Sequence, residues 1–310
     1  MAADRPTFDL QSHSLYSDGA LGPREVVARA AAAGVELLAL SDHDTTDGVD
    51  AAMEAAAEHG IRVVSAVEIS AVDPAGGDLH ILGYGLDHRD SRLVARLAEF
   101  RADRAHRGWA MVAALRELGF EVDEEALRRR TARDKSLGRP HIAQAVVTHP
   151  ANAARLAAEG RTDPVVFLKG YLIEGRPAFR SRERPSVAGA IACIHDAGGS
   201  AVWAHPFWDI SSPTQVLATI DRFHGMGIDG VECFYATHTR IQTNLLADCC
   251  SKLGLLTTGS SDFHGPDHRA FSRFRAFATF GRDPVLGPIL EAAGPTPRRC
   301  ARLGAPQPCA

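Results

Sequence analysis

Short apolar runs alternate along this chain with longer segments of helical period, and the alternation occurs in two blocks. Residues 8–12, 35–41 and 61–66 read as strands, and 23–33 and 48–60 read as the helices between them. The runs at 35–41 and 61–66 are apolar without a period of two, the mark of parallel strands covered on both faces. Gly22-Pro23 is a helix start and Gly34 a stop. The Pro- and Gly-rich stretch 73–78 predicts a turn, so Ile69-Ser70 and the run 79–84 form a hairpin.

The rhythm then breaks. From Ser91 to Lys169 the sequence is charged and helical, with one long helix over 92–118. It resumes at Val187 with a helix to Ala197, a strand to Ala204, a helix to Met226, a strand over 230–234, a helix to Lys252 and a strand to Ser260. About seven strands with intervening helices predict an α/β chain folded as a distorted, nearly closed (β/α)7 barrel. Residues 8–90 and 187–292 form that barrel, 91–186 a helical insertion over its edge, and 295–310, rich in Pro, Arg and Ala, a disordered tail.

Composition narrows the function classes. The 310 residues are 45% hydrophobic, enough for one large core or two modest ones. A net charge of -4 gives no global attraction for nucleic acid or an anionic membrane, so an anionic substrate needs a local positive centre. No leader-like or membrane-spanning apolar run is present. Six cysteines without CxxC spacing read as plain thiols in a reducing cytoplasm, and nothing implies a stable protein partner.

Chemistry collects where the apolar runs stop. The first run leads into His13 and Asp18, the second into Asp42-His43-Asp44, and the third into Glu68. The strand ending at Ala204 leads into His205, and the last into Asp262-Phe263-His264. In a barrel of parallel strands those ends share one face. Imidazoles and carboxylates without thiolates suit hard or borderline divalent cations, which points to a metal-dependent hydrolase. Asp44 and Asp47 read as caps of the following helix. His59, His88, His106, His149, His195 and His224 read as surface histidines without acidic partners.

The segments DLQSHSLYSDG (9–19) and LLALSDHDTTDG (37–48), then Glu68, His80, AHP (204–206) and GSSDFHG (259–265) resemble the PHP (polymerase and histidinol phosphatase) superfamily. Within it the chain looks most like nucleoside 3',5'-bisphosphate phosphatases and 5'-3' exoribonucleases. The resemblance implies a PHP-type barrel with two to three divalent ions at its mouth, Mn²⁺ favoured and Mg²⁺, Fe²⁺ or Zn²⁺ also suited. One ion takes His13, Glu68 and Asp262. A second shares Glu68 and adds His80 and His205. A third takes Asp18, His43 and His264, with Asp42 orienting a ligand imidazole. Gln11 stands where the family usually places a histidine; as a ligand or near-ligand its amide makes the first site looser. Three divalent ions against the carboxylates of Asp18, Glu68 and Asp262 leave a surplus of roughly +3, a pocket that demands anions.

The implied activity is hydrolysis of a phosphate monoester of a nucleotide, or of the 5' end of short RNA, by metal-activated hydroxide. Gly138-Arg139-Pro140-His141 matches in place a phosphate-contacting segment of such relatives, so Arg139 and His141 are expected to clamp a second phosphate. His238 is the expected proton donor to the leaving group. Lys169 and Tyr171 are placed at the pocket rim, and Arg128-Arg129-Arg130 reads as a solvated face. A small-metabolite phosphatase of the histidinol-phosphate type and a non-catalytic metal-binding module remain as alternatives.

Overall fold

The computed structural model describes residues 6–75, 77–131, 137–181 and 185–294. Seven strands form one sheet whose order follows the chain: β1 (Phe8–Asp9), β2 (Leu37–Leu40), β3 (Arg62–Asp73), β4 (Gly77–Tyr84), β5 (Ser200–Trp203), β6 (Gly230–Tyr235) and β7 (Leu256–Ser260). All neighbours pair parallel except β4, which is antiparallel to both β3 and β5. The Leu10 N–H donates to the Gly259 carbonyl at 3.1 Å and Ser12 bridges to Phe263, which brings the first and last strands together. The result is the nearly closed seven-stranded barrel read from the sequence.

Helices α1 (Pro23–Ala32) and α2 (Val49–His59) cover the first strands, and their Val and Ala faces pack with Val35, Leu38 and Leu40. Gly60 ends α2 at φ 69°, a left-handed conformation that glycine adopts without steric cost. The insertion holds α3 (Ser91–Glu117), α4 (Glu124–Thr131), α5 (Arg139–Val147), α6 (Ala153–Ala158) and α7 (Pro164–Tyr171). After it come α8 (Val187–Asp196), α9 (Pro206–Asp209), α10 (Pro213–Gly225), α11 (Arg240–Leu253) and α12 (Pro288–Ala292).

Helix α3 serves two cores. Leu93, Leu97 and Phe100 pack with the barrel strands, whereas Met111, Val112 and Leu115 join Phe120, Ile142, Phe167 and Tyr171 in a separate apolar cluster. Between these ends, Arg101, Arg104 and Arg107 form a buried stripe at i, i+3 spacing. Arg101 donates to the Asp44 carbonyl at 2.7 Å, Arg104 to the Asp44 carboxylate at 3.1 Å, and Arg107 to Asp78 at 2.7 Å. The stripe bolts the insertion to the loop after β2 and to the tip of the β3–β4 hairpin.

Two expectations need correction. Glu68 does not lie where a strand ends. β3 runs twelve residues and places Glu68 mid-strand opposite Leu82, and His80 sits opposite Ser70 on β4. An antiparallel ladder continues as long as both partners stay extended, so this hairpin carries its side chains beyond the barrel mouth. Asp44 is no helix cap either. It is buried at φ 55°, accepts from the Ser70 N–H at 2.9 Å and pairs with Arg104, while Gly48 occupies the N-cap of α2. The tail 295–310 lies outside the described residues.

Candidate metal centre

Glu68 is the hub. Its Oε1 lies 2.8 Å from His80 Nδ1 and 3.2 Å from His205 Nε2, and its Oε2 lies 3.0 Å from His13 Nε2. His13 Nε2 is also 3.1 Å from Asp262 Oδ1, and His43 bridges Glu68 at 3.6 Å and Asp18 at 3.5 Å. Donor atoms of His13, Asp18, His43 and His264 all lie within 4.8 Å of one another; so do those of His43, Glu68 and His80, and those of His13, Glu68 and Asp262. The structure thus gathers all nine side chains expected as ligands around one hub, Gln11 through its amide nitrogen.

Local backbone geometry aims these groups. His205 and Asp262 adopt left-handed φ of 31° and 55°, as Asp44 does. Such conformations cost about 1–3 kcal/mol each in a non-glycine residue and cluster at functional sites. The turn presenting Asp18 folds tightly back on His13, and a Cβ at Gly19 would come within 2.2 Å of the His13 carbonyl oxygen. Only glycine fits there.

Hydrogen bonds fix the tautomers. His264 Nδ1 donates to the Asp262 carbonyl at 2.7 Å, which turns Nε2 toward Asp18 at 3.5 Å. Asp42 does not touch an imidazole directly. It accepts from the Ser14 N–H and hydroxyl and from the Ser17 hydroxyl, and Ser17 in turn meets His13 Nδ1 at 3.3 Å. Ser17 alone links it to an imidazole by hydrogen bonds among the described residues.

Burial disfavours charge on His13, but the Asp262 and Glu68 carboxylates override it and hold its pKa well above the imidazole range. Partial burial disfavours charge on Asp18 too, and the imidazoles of His43 and His264 nevertheless hold its carboxyl well below the usual range. His13 Nε2, His43 Nδ1 and Asp262 Oδ1 are buried and face charged neighbours at 3.0–3.6 Å without hydrogen-bond geometry. Buried polar atoms without hydrogen bonds are costly, and here they converge from residues of ligand type. The donor set fits divalent cations.

Gln11 faces the hub with the wrong end for a ligand. Its amide nitrogen donates to Glu68 Oε2 at 3.0 Å, and its oxygen accepts from the Ser260 hydroxyl at 3.2 Å. Ser260 also lies 2.6 Å from Glu232 Oε1, and it has one proton to give. Burial pushes the Glu232 pKa up to about 8, and its Oε1 shares that hydroxyl donor with the Gln11 oxygen. Its second oxygen accepts from the His205 N–H at 2.9 Å. Glu232, Ser260 and Gln11 form a buried hydrogen-bonded group beside the hub, and no motif in the chain announces it.

The insertion adds cationic and donor groups. His141 Nδ1 accepts from the Gly138 N–H at 3.1 Å, so Nε2 holds the proton; burial, helped by the nearby Arg130, lowers its pKa to about 3. Arg139 sits 3.2 Å from Asp78, which Arg107 also holds. Arg130 is not part of a solvated face. It is half-buried and donates to the carbonyl of Ser17, next to Asp18, while Arg128 and Arg129 pair with Glu124 and Glu125 on the surface. That split was invisible in three consecutive arginines, although a helix necessarily points them in different directions.

Other expected residues fall elsewhere. Lys169 is exposed on α7, and Tyr171 is buried in the insertion core with its hydroxyl donating to Glu159 at 2.7 Å. His238 is buried between Phe207 and Tyr235, its Nδ1 donating to the Cys233 carbonyl at 3.1 Å. Burial lowers its pKa to about 4, so its buried Nε2 holds a lone pair at neutral pH. His88 and His195 each have an acidic partner after all, Asp50 and Asp229 at 2.8 Å.

A barrel whose mouth gathers buried imidazoles and carboxylates, covered by an arginine-bearing insertion, defines a metal-dependent phosphoesterase. The PHP domain family matches residues 9–126. A 3',5'-nucleoside bisphosphate phosphatase of Chromobacterium violaceum is 36% identical over 259 residues, covering 84% of this chain and 87% of that protein. A 5'-3' exoribonuclease of Haemophilus influenzae is 34% identical, covering 84% and 90%. A solved structure from Bifidobacterium adolescentis, assigned as a metal-dependent phosphoesterase, superposes with a TM-score of 0.72 at 27% identity, covering 92% and 94%. The chain belongs to the PHP family. No helix among the described residues is long and apolar enough to cross a membrane.

Proposed function

We propose that the chain removes a phosphate from a nucleotide bearing two, such as a 3',5'-bisphosphate, or acts at the 5' end of short RNA. The observation that carries this reading is the donor set lent by the insertion. Arg130 reaches the segment of Asp18, His141 offers a neutral Nε2–H, and Arg139 is steadied by Asp78. A single phosphate at the metal centre needs none of these; a second anionic group does. The similarity to a bisphosphate phosphatase and an exoribonuclease supports it.

Two to three divalent ions complete the centre, held by His13, Glu68 and Asp262, by His80 and His205 with Glu68, and by Asp18, His43 and His264. Mn²⁺ is the favoured ion, and Mg²⁺, Fe²⁺ or Zn²⁺ also suit a set of five imidazoles and three carboxylates. Such ions polarise phosphoryl oxygens and lower the pKa of water. The chain's own groups place the substrate: Arg139, His141 and Arg130 orient the second phosphate, and Asp42 keeps His13 in register through Ser17. His238 enters as an acceptor toward the substrate, because its Nε2 has no proton to give at neutral pH. Lys169 is a rim contact for longer substrates.

Phosphate release from adenosine 3',5'-bisphosphate with Mn²⁺ tests the reading against adenosine monophosphate and short 5'-phosphorylated RNA. Preference for the bisphosphate or the RNA is expected. Equal slow turnover of all three removes the nucleotide assignment.

A further inference from the structure

One exposed aromatic stands beside the metal centre without a task. Trp208 is 51% exposed, on the short helix α9 that begins immediately after His205. Its N–H donates to the His205 carbonyl at 2.8 Å, so its backbone is tied to a metal-centre residue. Its ring lies 5.5 Å from that of Phe271, which is buried. Phe271 stacks on His268 at 5.2 Å and 14°, and lies 5.7 Å from the ring of His264. Its carbonyl accepts from the His264 N–H at 2.9 Å. The indole is therefore backed by a fixed wall of rings that ends on the metal centre, at most about 11 Å from His264.

A lone exposed apolar side chain needs no explanation. Trp208 is not alone, since Leu15 and Tyr16 are also exposed, at 46% and 39%, on the segment between His13 and Asp18. Two of the loops that carry metal-centre residues thus present large apolar side chains to solvent. Tryptophan and tyrosine are the residues that offer a rigid flat face to a ligand at low entropic cost. A molecule with phosphate for the centre and a planar ring for the indole is a nucleotide.

We infer that Trp208 is a stacking platform for the substrate's nucleobase, with the ribose as spacer between base and phosphate. This deepens the nucleotide reading above and rests on it. Stacking tolerates any base, because every base has a π-face. The platform therefore selects for the presence of a base, not for its identity.

The full chain loaded with Mg²⁺ provides the test. Trp203 is buried, and Trp109 is half-buried under the Arg128 guanidinium, so Trp208 is the indole open to a ligand. Adenosine monophosphate is expected to quench the wild-type fluorescence and ribose 5-phosphate is not. Trp208→Phe should abolish the quench while keeping the preference for base-bearing substrate within about threefold, because a phenyl ring still stacks. Trp208→Ala should cut the kcat/KM ratio of adenosine 3',5'-bisphosphate over ribose 5-phosphate by about tenfold or more. A quench that survives Trp208→Phe, or a ratio that survives Trp208→Ala, overturns the inference. If the wild type releases phosphate from neither compound, the nucleotide reading falls, and the fluorescence titration still decides the platform.

Discussion

Arg104 of the insertion and Asp44 of the β2–α2 loop are 60 residues apart in sequence and 3.1 Å apart in space, both buried. Asp44 follows His43, and its carboxylate also accepts from the Ser70 N–H, so this pair spans insertion, ligand loop and hairpin. Arg104→Ala takes away a buried guanidinium facing a buried carboxylate, a change that costs about 3–5 kcal/mol. A fall in Tm of several degrees is expected. Adding Asp44→Asn should recover part of the loss, since asparagine tolerates the left-handed φ and carries no charge. Strictly additive single losses in that double-mutant cycle would contradict the pairing.

His141 sets a pH-dependent stability. Its folded pKa of about 3 lies below the unfolded value near 6.5, so its contribution is present above 6.5 and drains away as pH falls toward 3. His141→Gln should therefore lose less stability than the wild type between pH 7 and pH 5, by about 1–2 kcal/mol in urea denaturation. Parallel curves would mean that the imidazole is not buried against Arg130 and Arg104. The same variant should lower kcat/KM for a nucleotide bisphosphate more than for a monophosphate, measured side by side.

Glu232 behaves in the opposite direction. Burial lifts its folded pKa to about 8, above the ordinary 4.5, so the folded state pays increasingly for its ionisation as pH climbs from 4.5 to 8. Glutamine mimics the protonated form, with an N–H for Ser260 and an oxygen for the His205 N–H. Relative to wild type, Glu232→Gln is expected to gain about 2 kcal/mol between pH 6 and pH 9, in protein stripped of metal. A variant that instead falls behind at high pH shows that Glu232 is ionised in the fold.

Gln11 is the weak member of the ring around Glu68. Its amide nitrogen points at Glu68, so replacing it by an imidazole supplies a donor where the wild type has an N–H. Gln11→His should raise metal retention, with an affinity gain on the order of tenfold. Counting ions per chain after dialysis against graded chelator measures it. Unchanged retention would place position 11 outside the coordination sphere.

Much of this site is legible in the sequence. The runs ending at residues 12, 41, 204 and 261 announced a barrel mouth, because a parallel strand must stop before its chain can turn into a helix. The β3–β4 hairpin broke that logic: Glu68 and His80 lie within antiparallel strands, and only the resemblance to PHP proteins flagged His80. Arg104 and Asp44 were unreadable as a pair, since one sat in a charged helix and the other beside a helix start. Arg130 was hidden by its neighbours, and the direction of the Gln11 amide depends on Glu68 and Ser260, both remote in sequence. Sequence reveals which groups are present; long-range burial decides which way they face and what charge they keep.

The stripe of arginines along α3 also limits how this enzyme can diverge. A cap joined to its catalytic floor only by two flexible hinges can be exchanged freely, and new specificities follow. Here the cap's first helix grips the floor beside the very loop that bears His43, so remodelling the roof disturbs the hearth. New substrates are more readily won by altering side chains on the existing helices than by grafting another lid.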